Sequence, residues 1–317
     1  MIPWPITPIL SFPSVCIGEF TAEALGLQWE SFSQIPTARL LFEPVSCLFP
    51  VLNKLAASTG TATVGFVRYL GQIALLAGEV CRSIASGRIR VRLTLTQLAL
   101  IGIGSQLVVI ITGAFTGAVF AAQAFFKFNE LGLGSATGPV VSVAMCRELG
   151  PVLTALMVSG RVGAAIAAEI GTMRVTEQID ALRAMGVAPI DYLVVPRVIA
   201  MLVSMPILVG ESIYFGVLAS EVLTVQFFGV PAVWFREQLA AHTGAPDVLT
   251  GLTKAFVFGV LIVMISCHQG LHTRDGAVGV GRATTRAVVY ASLAVLISNL
   301  FLSLLLNLWM PTVSIDL

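Results

Sequence analysis

Charge is what this sequence has least of. Eighteen Lys and Arg and seventeen Asp and Glu make up 11% of 317 residues, against about 25% in an ordinary soluble domain. Hydrophobic residues are 56% of the chain, and its mean hydropathy is +0.92. So few polar side chains cannot cover a core of this size, which excludes a soluble globular enzyme and leaves an integral membrane protein of several spans. A net charge of +1 with no basic stripe gives no footing for nucleic acid. The five cysteines (Cys16, Cys47, Cys81, Cys146 and Cys267) are odd in number and contain no C-x-x-C pair. They read as small buried hydrophobes, not as a disulfide framework or metal cage.

Catalytic signatures are missing too. There is no G-x-x-x-x-G-K-[ST], so the chain cannot cradle ATP phosphates by itself, and no H-E-x-x-H or G-x-S-x-G. Gly132 and Gly134 in GLGSATG follow a membrane helix, not a strand, and read as a turn. His268 and His272 are four apart and share a helix face, as metal-binding pairs do. Cys267 points elsewhere and no carboxylate is fixed beside them, so they read as interfacial groups or partners of the last helical carbonyls. No metal and no cofactor is expected. The N-terminus, MIPWPITPILSFPSVCI, has four prolines and no basic n-region, a poor signal peptide. Glu19, Glu23 and Glu30 precede the first arginine, Arg39, unlike an organelle transit peptide.

What the chain does have is long uncharged stretches. Leu93 to Phe126 is one, thirty-four residues, enough for a tilted helix of ~20 residues or more and its end. Leu131 to Ala168 is interrupted by Arg147, Glu148 and Arg161; Val198 to Ser220 contains Glu211; about Val248 to Gly270 contains Lys254; and the last runs from Ala287 to about Met310. Counting Arg82, Arg88, Arg90 and Arg92 ahead of the first span, basic residues flanking the five spans number 4, 1, 4, 1, 3 and 0. The alternation places the N-terminus in the cytoplasm and the C-terminus outside. Within residues 62–87, Val64, Val67, Leu70, Ile73, Ala77, Val80 and Ile84 recur at three- and four-residue spacing, with Arg68, Gln72, Glu79 and Arg82 elsewhere. That is an amphipathic helix suited to the cytoplasmic interface. The expected fold is an all-α integral membrane protein: an interfacial amphipathic helix, then five transmembrane helices, N-in and C-out. Residues 1–60 form a proline-rich extension without readable periodicity, 61–92 the interfacial helix and basic linker, and 93–317 the five-helix domain.

Charges inside spans are the informative residues, since each costs ~2.5–3.5 kcal/mol on insertion scales and normally faces a cavity or a partner. Arg147 and Glu148 are followed by Gly150 and Pro151, where a bend is favoured. They read either as a polar patch lining a translocation path or as an interhelical ion pair. The first is favoured because adjacent residues project ~100° apart and do not easily share one partner. Lys254, about two turns into its span, suits either snorkelling or a cavity. Gly160, Gly163, Ala164, Ala167 and Ala168 make a small-residue face for close helix packing. Beyond them, Thr176 to Met185 reads as a short amphipathic helix closed by Gly186 and Pro189, with Ile179, Leu182 and Met185 on one face and Glu177, Asp180 and Arg183 on another. On the cytoplasmic side such a helix is a means of docking a soluble motor.

The motifs RELGP (147–151), GRVGAAIAAEIGTMRVTEQIDAL (160–182), PR (196–197) and VGRATTRAVV (280–289) resemble the MlaE/YrbE permeases over roughly residues 62–310. The resemblance implies the membrane subunit of a lipid-transporting ABC system: two permease copies, an MCE-domain hexamer outside and an ATPase on the cytoplasmic side. A small STAS-type accessory protein also belongs to the implied partner set. By position, Arg147, Glu148 and Lys254 look like the charged residues bordering the family's lipid cavity, and Arg282 like a basic residue before the fifth span. Glu177, Gln178, Asp180 and Arg183 fall in a stretch similar to the coupling helix, about 175–186, that meets the ATPase. Thr96 stands where some relatives have a basic residue, residues 1–60 have no counterpart, and Glu211 and Glu221 have no assigned role. The expectation is a permease moving phospholipid between the bacterial inner membrane and an outer-membrane or periplasmic MCE partner, with ATP hydrolysed by another chain. A plastid inner-envelope setting ranks below the bacterial one. The alternatives are a sterol or fatty-acid importer of the same family, an ion-coupled secondary transporter and a membrane enzyme. A secondary transporter would show inverted repeats, which an odd five-span chain lacks, and an enzyme would need convergent nucleophiles or metal ligands.

Overall fold

In hydrocarbon a backbone must satisfy its own hydrogen bonds, and helices do this within one segment. The computed structural model describes residues 63–65, 67–87, 90–132 and 134–309, and no strand occurs among them. The proline-rich extension 1–60, with Cys16 and Cys47, lies outside the described residues. The chain divides into Met1–Leu70 and Gly71–Leu317, and every contact described below lies within the second unit. The helices are α1 (Thr63–Ala85), α2 (Val91–Glu130), α3 (Thr137–Val175), α4 (Gln178–Ala184), α5 (Ile190–Gln226), α6 (Ala232–His242), α7 (Ala245–Leu271) and α8 (Gly276–Trp309). The protein is an all-α integral membrane protein.

Helices α2, α3, α5, α7 and α8 coincide with the five expected spans, but α1 is also long and apolar enough to cross a membrane. Its mean hydropathy is 1.3, against 2.1 for α2 and 2.2 for α7 and α8, as its polar face requires. In α1, Leu76 and Val80 are buried and Ile73, Ala77 and Ile84 pack against the same core. Cys146 and Cys267 are buried as expected, whereas Cys81 is exposed, since it falls outside the α1 stripe. The helices outrun the uncharged stretches: Arg161 and Arg197, assigned to a loop from their charge, lie inside α3 and α5. Both have polar partners there. Arg161 Nη1 donates to Ser105 Oγ at 2.7 Å, and Arg197 pairs with Glu169 at 2.8 Å.

Small residues set the helix spacing. A Cβ on Gly117 of α2 would run into the backbone of Gly216 of α5, so these two helices meet backbone to backbone. Gly163 of α3 lies against Ser266 of α7, and Ala167 is fully buried nearby, but Gly160 faces open space and takes no part in that contact.

Candidate functional site

Three spans carry the polar network. Arg147 and Glu148 sit in α3 within a π-helical turn, Met145–Leu149, a local widening that recurs at functional positions in helices. Pro151 has no N–H to return to the Arg147 carbonyl. Lys254 Nζ, from α7, donates to that carbonyl at 2.8 Å. Gly251 permits the approach, because a Cβ there would strike the Cys146 carbonyl oxygen and meet Pro151 Cγ at 3.3 Å. The proline and glycine of the sequence thus prepare the seat that the lysine occupies.

Lys254 is wholly buried and does not snorkel. It also donates to Glu148 Oε1 at 2.8 Å and to Ser303 Oγ of α8 at 2.8 Å. Glu148 accepts in addition from Ser303 Oγ at 2.8 Å and from Asn299 Nδ2 at 2.9 Å. Arg147 turns the other way along α7: its Nε donates to Asp247 Oδ1 at 2.5 Å, and its Nη1 to Asn307 Oδ1 at 2.8 Å. The second oxygen of Asp247 accepts from the Gly244 N–H at 2.9 Å, capping α7. Two cations and two carboxylates are therefore matched, as charges away from water require. Glu148 alone opens outward, its side chain 44% exposed against 0% for Lys254.

This geometry corrects two readings. Adjacent charges were expected not to share a partner, yet Arg147 and Glu148 both reach α7 and α8, because the two long side chains diverge along those helices. The charges do form interhelical ion pairs, the reading placed second from the sequence: Arg147–Asp247 and Glu148–Lys254. Arg282 is not brought to this network. It is exposed near the start of α8, seventeen residues before Asn299 and so about 25 Å away along the axis. Sequence reasoning missed Asp247, which looks like a helix cap, and Asn299, Ser303 and Asn307. Their four-residue spacing inside an apolar span was the available signal.

At the other end of α3, a turn with Glu177 at φ +58° leads into α4. Ile179 is buried and Leu182 packs against the core, while Met185, expected on the same face, is exposed, because the helix stops at Ala184. Glu177, Gln178, Asp180 and Arg183 all face outward. Asp180 accepts from Arg174 at 2.8 and 2.9 Å and from Arg183 at 3.1 Å. Arg174, Ile179 and Arg183 line a cavity of about 400 Å³ with Gln72, His268 and His272. His272 stacks on His268 at 4.2 Å and its Nδ1 contacts the His268 carbonyl at 2.9 Å, a helix-end role. Among the described residues no cluster of His, Cys, Asp and Glu is arranged to hold a metal.

A family model for the permease MlaE matches residues 94–305. A probable ABC transporter permease protein of Synechocystis is 46% identical over 231 residues, 73% of this chain and 88% of that one. One of Rickettsia conorii is 43% identical over 249 residues, 78% and 96% of the two chains. The chloroplastic protein TRIGALACTOSYLDIACYLGLYCEROL 1 of Arabidopsis thaliana is 39% identical over 231 residues, 73% and 66% of the two chains. A match that takes in the π turn, the lysine of α7 and Asn299 and Ser303 of α8, with bacterial relatives alike over nearly their whole length, makes this chain a member of the MlaE permease family.

Proposed function

We propose that this permease is the membrane subunit of an ABC transporter that moves phospholipid between the bacterial inner membrane and an MCE-domain partner outside it. ATP is hydrolysed by a separate ATPase that docks on α4, and two permease copies form the working unit. The observation that carries this reading is the Glu148–Lys254 pair, an ammonium buried within the spans and joined to a carboxylate that stays half exposed. A zwitterionic headgroup presents the same two charges and can exchange with such a pair, its phosphate taking the lysine in a charge-assisted hydrogen bond. The Arabidopsis relative bears the name of a galactolipid, which favours a lipid cargo. The outward-facing charges of α4 supply a docking surface for a soluble motor.

The test is a lipid extract of the detergent-purified permease–ATPase complex, analysed by mass spectrometry beside its ATP turnover. Phospholipid should be enriched over bulk detergent-lipid background and reduced by Lys254→Ala and Glu148→Ala, and the permease alone should hydrolyse no ATP. Recovery of a sterol or free fatty acid in place of phospholipid would overturn the cargo, and hydrolysis by the isolated chain would overturn the division of labour.

A further inference from the structure

A second cavity, of about 460 Å³, opens between α5 and α7 on the side of the α5–α6 loop. Its walls are Gly210, Ile213, Tyr214, Val217 and Leu218 of α5 and Val248 of α7; the polar side chains in its lining are Tyr214 and, at one end, Glu221 and Arg236. These last two form an ion pair at 2.6 Å, with the glutamate side chain 24% and the arginine 72% exposed. Neither residue belongs to the network around Lys254.

The dimensions of the groove are those of one bilayer leaflet. Gly210 and Glu221 are eleven residues apart on a continuous helix, about 16 Å, and half of the hydrocarbon core is about 15 Å. The charged end suits headgroup level, because α6, which carries Arg236, has eleven residues, too few to span, and joins two spanning helices. Its Phe235 is buried against Gly138, while Val233 and Trp234 beside it stay exposed, as aromatic residues do at a membrane interface. The deep end is open: a Cβ on Gly210 would meet nothing within 4 Å. An apolar channel one leaflet deep, with one cation and one anion at its mouth, matches an acyl chain below a headgroup of two opposite charges.

We propose that this groove is a lateral site for one acyl chain of a zwitterionic phospholipid, whose phosphate meets Arg236 and whose ammonium meets Glu221. The inference rests on the lipid-transport reading for its purpose, but its occupant is tested separately. The probe is a phosphatidylethanolamine with a diazirine near the end of one acyl chain. It is added to the full chain in vesicles of phosphatidylethanolamine and phosphatidylglycerol, and adducts are mapped by mass spectrometry. Adducts should concentrate on residues 210–218. Gly210→Phe, which fills the open end without touching backbone, should lower them about tenfold, because several buried methylenes lose their place. Leu218→Trp fills the same groove from another position and should act alike, so the outcome does not hang on one variant's folding. Glu221→Gln with Arg236→Gln should abolish the preference over a phosphatidylglycerol probe yet leave acyl adducts in place. Adducts no denser than on the exposed Ile103 and Leu107 of α2, and unmoved by both filling variants, would mean annular lipid only and overturn the proposal. Lys254→Ala should leave the groove adducts unchanged even if it abolishes transport, so failure of the groove and failure of the transport reading give different results.

Discussion

The network around Lys254 and the surface of α4 use the same chemistry at opposite burial. Each joins arginine or lysine to aspartate or glutamate. In the first, Arg147 and Asp247 are 8% and 3% exposed and the partners lie 100 residues apart in the chain. In the second, Arg183 and Asp180 are 60% and 49% exposed and the partners lie three to six residues apart. Removing one member of a buried pair strands the other, whereas exposed pairs contribute little and are readily exchanged for new partners. The first region holds spans together; the second leaves its charges in water, open to exchange.

Four substitutions sharpen or break this contrast. The largest effect is expected for Asp247→Ala, which strands the Arg147 guanidinium and uncaps α7; thermal melts in detergent should show about 3–5 kcal/mol of lost stability. A loss below the range of surface substitutions would dissolve the distinction between the regions. Next, Lys254→Met should lose on the order of 2 kcal/mol, because Glu148 keeps some water when its partner is gone. The double variant Lys254→Met with Glu148→Met should regain most of that stability while transport stays abolished. Transport returning with stability would reduce the pair to a packing device. Gly251→Val should push α7 from the π turn at a cost of about 1–3 kcal/mol, read as a lower melting temperature and weaker lipid retention; an unchanged melt would show that the close approach is dispensable. Smallest in stability is Asp180→Lys, within about 0.5 kcal/mol of the parent. It should nonetheless impair co-purification of the ATPase, and intact complex with full transport would remove α4 from the docking surface.

Much of this was legible in advance for a simple reason: spans and their interruptions are one-dimensional features. Five uncharged stretches, the amphipathic stripe of α1 and the charges at 147, 148 and 254 are visible residue by residue. Pairing is not. That Arg147 meets Asp247 while Glu148 meets Lys254 depends on a π turn and on Gly251, and neither has a propensity signal. The helix ends also escaped, because Arg161 and Arg197 read as loop residues until their partners, the buried Ser105 and the exposed Glu169, are known. Met185 shows the reverse error, a stripe extrapolated past the point where the helix stops. The polar face of α8 is readable from Asn299, Ser303 and Asn307, but three uncharged residues carry a far smaller insertion penalty than the charges at 147, 148 and 254 and stand out less.

The long separations within the network bear on how the protein is made. Helix α3 leaves the ribosome about a hundred residues before Asp247 and Lys254, and Asn299 follows Glu148 by 151. During that interval Arg147 and Glu148 have none of their final partners, and each charge carries its ~2.5–3.5 kcal/mol insertion penalty unrelieved. Synthesis therefore passes through a stage in which α3 is unstable in lipid by itself. It must wait in a polar or protein-lined setting until α7 and α8 arrive, so the order of helix release is part of what the charges specify.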